Sequence, residues 1–162
     1  MASLEDKRLA ELERLYRDDF PRFLRVARAI AGNRELALEA VQDGFGDAIR
    51  SRADFRGEGP LAAWVWRAVV NRARKAGERE RRESSLSYSL DANGYAVDED
   101  ARLRAAIALL PERQRLVLFL RYYADLDYAS VARALGIRVG TVSATLNAAH
   151  RALRRAFLEV TP

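Results

Sequence analysis

The strongest constraint on the fold lies near the end of the chain, where one glycine separates two amphipathic segments. Both segments are apolar at helical spacing, with Val131, Ala132 and Leu135 in the first and Val142, Leu146, Ala149, Leu153 and Phe157 in the second. Asp127 stands where an N-cap is needed, and Gly136 stands where a left-handed residue can end the first helix. The pattern predicts a helix-turn-helix, which is either a reader of the DNA major groove or an ordinary helical hairpin inside a bundle.

Apolar periodicity predicts helices for most of the remaining chain. Helical spacing runs through residues 4–31 and 34–52, and it resumes at Pro60, at Leu103 and at Pro111. Pro21 either kinks the first helix or starts a second one, and Asn33 is placed to cap the helix that follows. Residues 53–59 contain two glycines that break the period. We therefore expect an all-α chain with about three helices followed by about four.

Charge divides the chain into two basic blocks separated by an acidic strip. Residues 1–82 carry 18 basic and 14 acidic groups, and residues 101–162 carry 10 basic and 4 acidic groups. Residues 83–100 carry five acidic groups, no Lys or Arg, and an Asn-Gly step. This composition predicts a flexible acidic linker between two small helical domains that each face a polyanion. Nearly all the basic residues are Arg, which reflects either phosphate recognition or genomic base composition.

Absent residue types argue against several classes of protein. The chain has no Cys and a single histidine, His150, so it offers neither a thiolate nor a pair of metal-binding imidazoles. One histidine on a basic helix does not make a hydrolytic Ser/His/Asp set, and no Gly-rich loop follows a strand. No apolar run reaches about 18 residues. We expect a cytoplasmic protein with no membrane insertion, no cofactor, no metal and no enzymatic activity.

A series of short motifs runs along the chain in a fixed order. The first half contains Gln42-Asp43-Gly44-Phe45, Phe55-Arg56-Gly57-Glu58, Trp64-Val65-Trp66-Arg67 and Asn71. The second half contains Leu110–Arg115, Leu120–Tyr123, Tyr128, Leu135-Gly136 and Val139–Val142. The series resembles the extracytoplasmic-function (group IV) sigma factors of bacterial RNA polymerase over nearly the whole sequence. The resemblance implies a sigma region 2 domain over residues 1–82, a linker over 83–100 and a sigma region 4 domain with the helix-turn-helix over 101–162.

The resemblance implies a transcription factor that binds core RNA polymerase and carries it to promoter DNA. Its first domain is expected to dock on the polymerase through Gln42, Asp43 and Phe45, although Phe45 is also explained as a core residue. Members of this family are often held inactive by an anti-sigma factor, so such a partner is expected here as well.

The same domain is expected to recognise and open the promoter element near position −10. The implied residues are Phe55, Arg56 and Gly57 on a loop and Trp66, Asn71, Arg72, Arg74 and Lys75 on the following helix. Basic grooves with aromatic platforms hold single strands, which is the chemistry that this set offers. Trp64 falls on the apolar stripe and is predicted to be core, whereas Trp66 lies off the stripe and is predicted to contact a base or a partner.

The second domain is expected to read the −35 element in duplex DNA. The implied residues are Arg115, Arg138, Thr141, Ser143, Thr145, Asn147 and Arg151. The family usually carries basic residues where this chain has Ser143, Thr145 and Ala148, so the phosphate-driven part of the affinity should be weaker. The domain is therefore expected to read an unusual element, to bind DNA weakly or to contact protein.

Two other functions fit parts of the sequence. A sigma-like adaptor or decoy would bind polymerase or an anti-sigma factor without reading promoters, and the altered recognition helix favours it. The basic segment 67–82 argues against a decoy, because a decoy needs no DNA-melting surface. An ordinary helix-turn-helix repressor would leave residues 1–82 unexplained and would bind a palindrome as a homodimer.

Overall fold

Helices make up nearly all of the computed structural model, which describes residues 3–84 and 99–158. The bounds are Leu4–Ala31 for α1, Arg34–Arg50 for α2, Leu61–Glu83 for α3, Glu99–Ala108 for α4, Glu112–Leu118 for α5, Tyr128–Leu135 for α6 and Val139–Leu158 for α7. A 3₁₀ turn at Arg52–Asp54 follows α2, and a π-helical turn at Phe119–Tyr123 continues α5. The all-α prediction is confirmed, with three helices and then four in these two ranges. Most of the predicted linker falls at positions 85–98, outside the described residues.

Polar caps explain where several helices begin. Ser3 and Asp6 form a reciprocal capping box at the start of α1. Asn33 accepts from the Leu36 amide at 2.9 Å, and Asp127 accepts from the Ser130 amide at 2.7 Å, as the sequence predicts. Pro21 lies inside the single helix α1, so the chain has one long helix here rather than two.

Helices α1, α2 and α3 form a three-helix bundle around an aromatic centre. Trp66 of α3 stacks on Phe23 of α1 with ring centroids 3.9 Å apart, and Phe45 of α2 meets Phe23 edge-on at 4.9 Å. Gly44 brings α2 close to α3, because a Cβ at this position would lie 2.8 Å from Cα of Val69. The packing of these three rings and the close approach at Gly44 therefore fix the position of α3 on α1 and α2.

Helices α5, α6 and α7 form the second group, with α4 against α7. Their core includes the buried aliphatic residues Val117, Leu120, Val131, Val142 and Leu146. Phe119 is buried as well and stacks on Tyr123 with ring centroids 5.4 Å apart. Gly136 ends α6 with φ at 66°, in the left-handed region. The predicted helix-turn-helix is confirmed as a geometry, formed by α6, the turn at 136–138 and α7.

The two groups share one continuous core in this conformation. Helix α3 packs along α6, and α1 packs on the π-helical turn after α5. An ion pair between Arg74 of α3 and Glu112 of α5 joins the groups directly. The surface of α3 that faces away from α1 and α2 is therefore partly covered by the second half of the chain.

Replacing Trp66 with alanine should destabilise the fold far more than replacing Trp64. Trp66 is 2 % exposed, and the alanine variant lacks both its packing and its stack on Phe23. We therefore expect a loss of about 3–5 kcal/mol in the free energy of unfolding. Trp64→Ala is the matched control and should cost less, because Trp64 is only half-buried. Urea unfolding followed by circular dichroism measures both. Equal losses would show that the Trp66 stack does not organise the bundle.

Candidate functional site

An apolar groove runs between α1 and α2. It has a volume of about 490 Å³ and is lined by Leu12, Glu13, Tyr16, Arg17, Gln42, Phe45, Gly46 and Ile49. Tyr16 and Ile49 are more than a third exposed, so the groove presents apolar surface to solvent. Of the residues expected to meet polymerase, Gln42 is exposed on this groove and Asp43 is half-buried, whereas Phe45 is 3 % exposed and forms its floor. The core alternative for Phe45 is therefore the one that matches its position.

The basic face of α3 lies beside α2, and an aspartate of α2 engages one of its arginines. Asp47 accepts from Nε and Nη2 of Arg72 at 2.7 and 2.8 Å, and also from Arg50 at 2.6 Å. Asp43 lies 3.6 Å from Nη1 of the same guanidinium. Bonding by Arg72 holds the pKa of Asp47 below its usual range, and Asp47 in turn raises the pKa of Arg72. Arg72 thus braces α2 to α3 instead of projecting freely.

Asn71 and Lys75 are two of the exposed positions on this face, in a row that Arg67 and Arg79 continue at the same spacing. Both are exposed, and within residues 3–84 and 99–158 no carboxylate lies within ion-pair distance of Lys75. They are four residues apart and so point the same way from α3. The pair offers an amide and a cation to an incoming polyanion.

Of the two tryptophans of α3, Trp66 is the more deeply buried, and Trp64 packs partly buried against the same core. Trp66 is buried against Phe23, so the prediction that it lies exposed for a base or partner is wrong in this conformation. Trp64 is half-buried and stands 5.5 Å from the ring of Phe55 on the preceding loop. The reason is that α3 is covered on two sides, by α1 and α2, so its buried stripe is broad. Val70, Ala73 and Gly77 continue the face of Trp66 at helical spacing, and this is the signal that identifies Trp66 as core.

The loop before α3 is held at its base and open at its tip. Arg8 stands over the Phe55 ring at 5.5 Å and donates to the carbonyl of Arg52 at 2.8 Å. Arg56 and Gly57 follow and are exposed. The predicted loop residues are therefore brought together with Trp64 at one end of α3.

Arg74 is engaged by the second half of the chain. Its Nε donates to Oε1 of Glu112 at 2.7 Å and its Nη2 donates to Oε2 at 3.2 Å. These hydrogen bonds raise the pKa of Arg74 and lower the pKa of Glu112. Arg72 and Arg74, both predicted to contact −10 DNA, are thus ion-paired in the conformation described, and their part in DNA binding stays a prediction. A contact made by a residue 38 positions away leaves no trace in the local sequence pattern.

The exposed face of the recognition helix α7 differs from the predicted one. Gly140, Ala144, Asn147 and Arg151 are exposed at helical spacing, whereas Thr141, Ser143 and Thr145 are half-buried. Asn147 and Arg151 are thus the predicted residues that project most openly. The turn before α7 adds Arg138, which is also exposed.

Two further polar side chains of this half have internal partners. Arg115 donates to the backbone carbonyls of Leu110 and Ala108, so it closes the turn between α4 and α5 rather than standing free. His150 shares a hydrogen bond of 2.9 Å with the hydroxyl of Tyr122. This contact agrees with the prediction that His150 is a surface or packing residue.

A cleft lies between the loop before α3 and the helix-turn-helix; we call it the central cleft. Its volume is about 640 Å³. One wall carries Phe55, Arg56, Trp64 and Arg67, and the other carries Arg133, Gly136, Ile137, Arg138 and Val139. The predicted −10 loop and the start of the predicted −35 helix therefore face each other.

The described ranges hold neither a side-chain cluster suited to a metal ion nor a helix suited to crossing a membrane. Neither contains a cluster of three or more His, Asp or Glu side chains arranged to hold a metal ion. None of the helices traced over 3–84 and 99–158 has the length and apolarity needed to cross a bilayer.

Asp47→Asn should reduce stability at neutral pH, with the difference lost in acid. The pKa of Asp47 is lowered in the folded chain, so its contribution is present above its unfolded pKa of about 4 and disappears as pH falls through the folded value. Because both partners are more than a third exposed, we expect at most about 1 kcal/mol. The midpoints of urea unfolding at pH 7 and pH 3 measure the difference in stability between wild type and Asp47→Asn. Asp18→Asn, at an exposed position, is the control. A difference from wild type that is as large at pH 3 as at pH 7 would contradict the ion-pair explanation.

Two sequence families match the chain in consecutive segments. Residues 15–83 match the family described as Sigma-70 region 2, and residues 100–156 match Sigma-70, region 4. Together the matches cover more than three quarters of the chain. The break between them falls on the acidic strip.

Characterised relatives match over most of their length. The RNA polymerase sigma factor YlaC of Bacillus subtilis is 26% identical over 156 residues, with 89% of this chain and 90% of the relative covered. The ECF RNA polymerase sigma factor SigM of Mycobacterium tuberculosis is 29% identical over 150 residues, with 88% and 75% covered.

Solved structures share the fold. CnrH, solved in complex with the cytosolic domain of CnrY, superposes with a TM-score of 0.74 at 22% identity, and the match covers 97% of this chain and 94% of CnrH. The sigma factor RpoE of Bartonella quintana, solved with the anti-sigma factor NepR, gives a TM-score of 0.69 at 19% identity, with 94% and 99% covered. At this identity the likeness supports the all-α fold.

Proposed function

Because the chain belongs to the sigma-70 family, in its extracytoplasmic-function group, we propose that it binds core RNA polymerase and directs transcription initiation from a specific class of promoters. The observation that carries this function is the pairing, in one chain, of a region 2 bundle that bears a basic helix with a region 4 helix-turn-helix. An isolated helix-turn-helix repressor has no use for the first bundle. The protein acts as a transcription factor.

We assign different roles to the two halves of the chain because their exposed surfaces differ. We assign residues 1–82 to polymerase binding and to the −10 element, residues 101–162 to the −35 element, and 83–100 to the linker. The support is that the open basic positions of α3 and the exposed face of α7 lie on different helical groups. Each group has its own buried centre, at Phe23 and at Leu120.

The groove between α1 and α2 is assigned to polymerase. Its exposed apolar surface, from Tyr16 and Ile49, is bordered by the polar Gln42, and Asp43 lies one residue further along α2. An apolar centre with a polar border is the composition of protein–protein interfaces. Phe45, at the floor of the groove, packs against Tyr16, with the two rings edge-on and their centroids 5.0 Å apart.

Recognition and opening near −10 are assigned to the loop and the open face of α3. Asn71 and Lys75 supply polar and cationic contacts, Arg56 and Gly57 stand at the loop tip, and Phe55 offers an aromatic ring. Trp64 replaces Trp66 as the second aromatic candidate, because it borders the same loop. Bases held out of the duplex stack on such rings, while cations follow the backbone.

Recognition of the −35 element is assigned to the exposed face of α7. Asn147 has an amide that can bond an adenine edge in two places, and Arg151 and Arg138 are placed for phosphate. Gly140 and Ala144 allow close approach of the helix to the groove but contribute no charge. Few cations on this face mean a shallow dependence of affinity on salt.

The proposed function also implies where the protein acts and that it has an inhibitory protein partner. A protein that acts on core polymerase and chromosomal DNA works in the cytoplasm. The solved structures of CnrH and of Bartonella RpoE hold a bound CnrY domain and an anti-sigma factor, respectively. An anti-sigma partner is therefore proposed for this chain too.

One observation favours a second function, that of an adaptor or decoy. The exposed face of α7 carries no cation before Arg151, so its DNA affinity is the weakest part of the sigma assignment. An adaptor would use this small, neutral face for protein contact.

Reconstituted transcription separates the two functions. Core RNA polymerase free of other sigma subunits is mixed with this chain and genomic DNA of the source organism, and transcript 5′ ends are mapped. We expect new start sites that share upstream elements. Stable binding to core without new starts would favour the adaptor, and no binding to core would overturn both.

Asn71→Ala together with Lys75→Ala should impair promoter opening and spare polymerase binding. The two residues are exposed polar positions of α3 in the middle of its basic face, so their loss removes contacts to the separated strands and should lower opening roughly tenfold. Permanganate reactivity of thymines measures opening, and co-elution with core measures binding. Lys7→Ala, the only other lysine in the chain, is the matched control. Unchanged reactivity would move the melting surface away from α3.

Asn147→Ala and Arg151→Ala should have different effects on −35 binding. Loss of Asn147 should reduce the discrimination at one base pair by about 1–3 kcal/mol. Loss of Arg151 should weaken binding to all sequences alike and should reduce the slope of log affinity against log salt concentration by about 1. Binding of the holoenzyme to promoters with single substitutions at −35, over a range of salt, measures both. If neither variant changes binding, α7 does not read DNA.

A further inference from the structure

The central cleft gathers four arginines from the two helical groups. Arg56 and Arg67 lie on the wall formed by the loop before α3 and by α3 itself, and Arg133 and Arg138 lie on the wall formed by α6 and the turn after it. All four are exposed. Within residues 3–84 and 99–158, none of the four has a carboxylate within ion-pair distance. Their positive charge is therefore available to a ligand.

The carboxylates of the cleft do not balance these cations. Asp54 and Glu58 are the acidic residues of its lining, so four guanidinium groups face two carboxylates. Arg133 donates to the backbone carbonyl of Glu58, which is a neutral acceptor. A concave surface lined mainly by one sign of charge concentrates ions of the opposite sign. The cleft should therefore attract a small anion that carries more than one negative charge.

The same cleft carries aromatic and apolar surface. The rings of Phe55 and Trp64 stand 5.5 Å apart, and both side chains are half-buried. Ile137 and Val139 line the opposite wall, and Val139 is 48% exposed. Nucleobases stack on aromatic side chains, because every base has a π-face. The lining therefore suits a ligand that joins a flat ring to an anionic group.

We propose that the central cleft binds a free nucleoside polyphosphate, with its base against Phe55 and Trp64 and its phosphates between Arg67 and Arg138. The volume of about 640 Å³ lies within the range of small-molecule sites. Guanidinium groups match phosphate oxygens in a two-pronged geometry, and the rings accept the base. Inorganic phosphate alone would leave the rings uncovered, and an uncharged ring would leave the arginines unpaired.

The site goes beyond the proposed function, because its ligand is a small molecule and its residues come from both helical groups. The −10 element is assigned to the loop and to α3, which both belong to the first group. A single strand that used only those residues would not need Arg138, which lies on the turn before α7. Joint dependence on Trp64 and Arg138 therefore distinguishes a bound nucleotide from a bound DNA strand.

Calorimetric titration of the whole chain with ATP and with GTP tests binding directly. We expect at least one of the two nucleotides to bind with a ratio of one per chain. Arg67→Ala and Arg138→Ala should each weaken binding about tenfold, because each removes a charge-assisted hydrogen-bond donor. Arg25→Ala, at an exposed position of α1 outside the cleft, is the charge-matched control and should bind like wild type. Circular dichroism checks that each variant is folded.

Tryptophan fluorescence locates the base. Of the two tryptophans, Trp64 lines the cleft, whereas Trp66 is buried against Phe23. The nucleotide should therefore quench the fluorescence of wild type but not that of Trp64→Phe, which keeps a ring for the base and should retain calorimetric binding. Trp64→Ala should weaken binding about tenfold. Tyr122→Ala, which removes an exposed ring outside the cleft, is the matched control and should bind like wild type.

Partial ligands separate a nucleotide site from general attraction to a basic chain. Tripolyphosphate has the phosphates without the base, and adenosine and guanosine have the base without the phosphates. Each should bind at least about tenfold more weakly than the nucleotide. Equal affinity for tripolyphosphate and the nucleotide, or equal weakening by Arg25→Ala and Arg138→Ala, would reduce the interaction to nonspecific charge attraction and overturn the proposal.

Two further results would also overturn the proposal. One is the absence of binding by both nucleotides at millimolar concentration. The other is unchanged binding in folded Arg138→Ala and Trp64→Ala. All these measurements use the chain without polymerase or promoter, so their failure would leave the proposed transcription function standing, and failure of that function would leave the nucleotide site standing.

Discussion

Helix α3 is the element on which the rest of the structure depends, because it is packed from several sides. Trp66 fixes it to α1 by stacking on Phe23, and Gly44 lets α2 approach it closely. Its far side receives α6, with Arg74 bound to Glu112. Its remaining exposed positions, such as Asn71 and Lys75, form a narrow strip. The helix that anchors the first bundle is thus also the proposed DNA-melting helix, and its position determines which of its side chains reach a partner.

The sequence predicts the helices and caps well because those depend on local chemistry. Asn33 and Asp127 cap where expected, and Gly136 turns the chain where expected. The partners of individual polar side chains depend on distant neighbours, which the local pattern does not show: Arg74 meets a residue of the other half. The deeper burial of Trp66 than of Trp64 has a different cause, since a stripe counted over a few residues is narrower than the face that two neighbouring helices cover.

The separation of tasks on the surface follows from the same geometry. The apolar groove of α1 and α2, which is proposed to receive polymerase, lies on the first bundle and shares no lining residue with the central cleft. The elements proposed to read DNA, the loop before α3 and the start of α7, both line the cleft. In this conformation the groove is therefore open to a partner, whereas the two proposed DNA-binding elements face each other.

The structure of the complex of this chain with core polymerase and a promoter found by transcript mapping tests the sigma assignment most directly. We expect polymerase to cover the groove at Tyr16 and Gln42, separated strands to lie along Asn71 and Lys75, and α7 to sit in duplex DNA. A complex in which polymerase leaves the groove uncovered and the promoter touches neither α3 nor α7 would contradict the assignment.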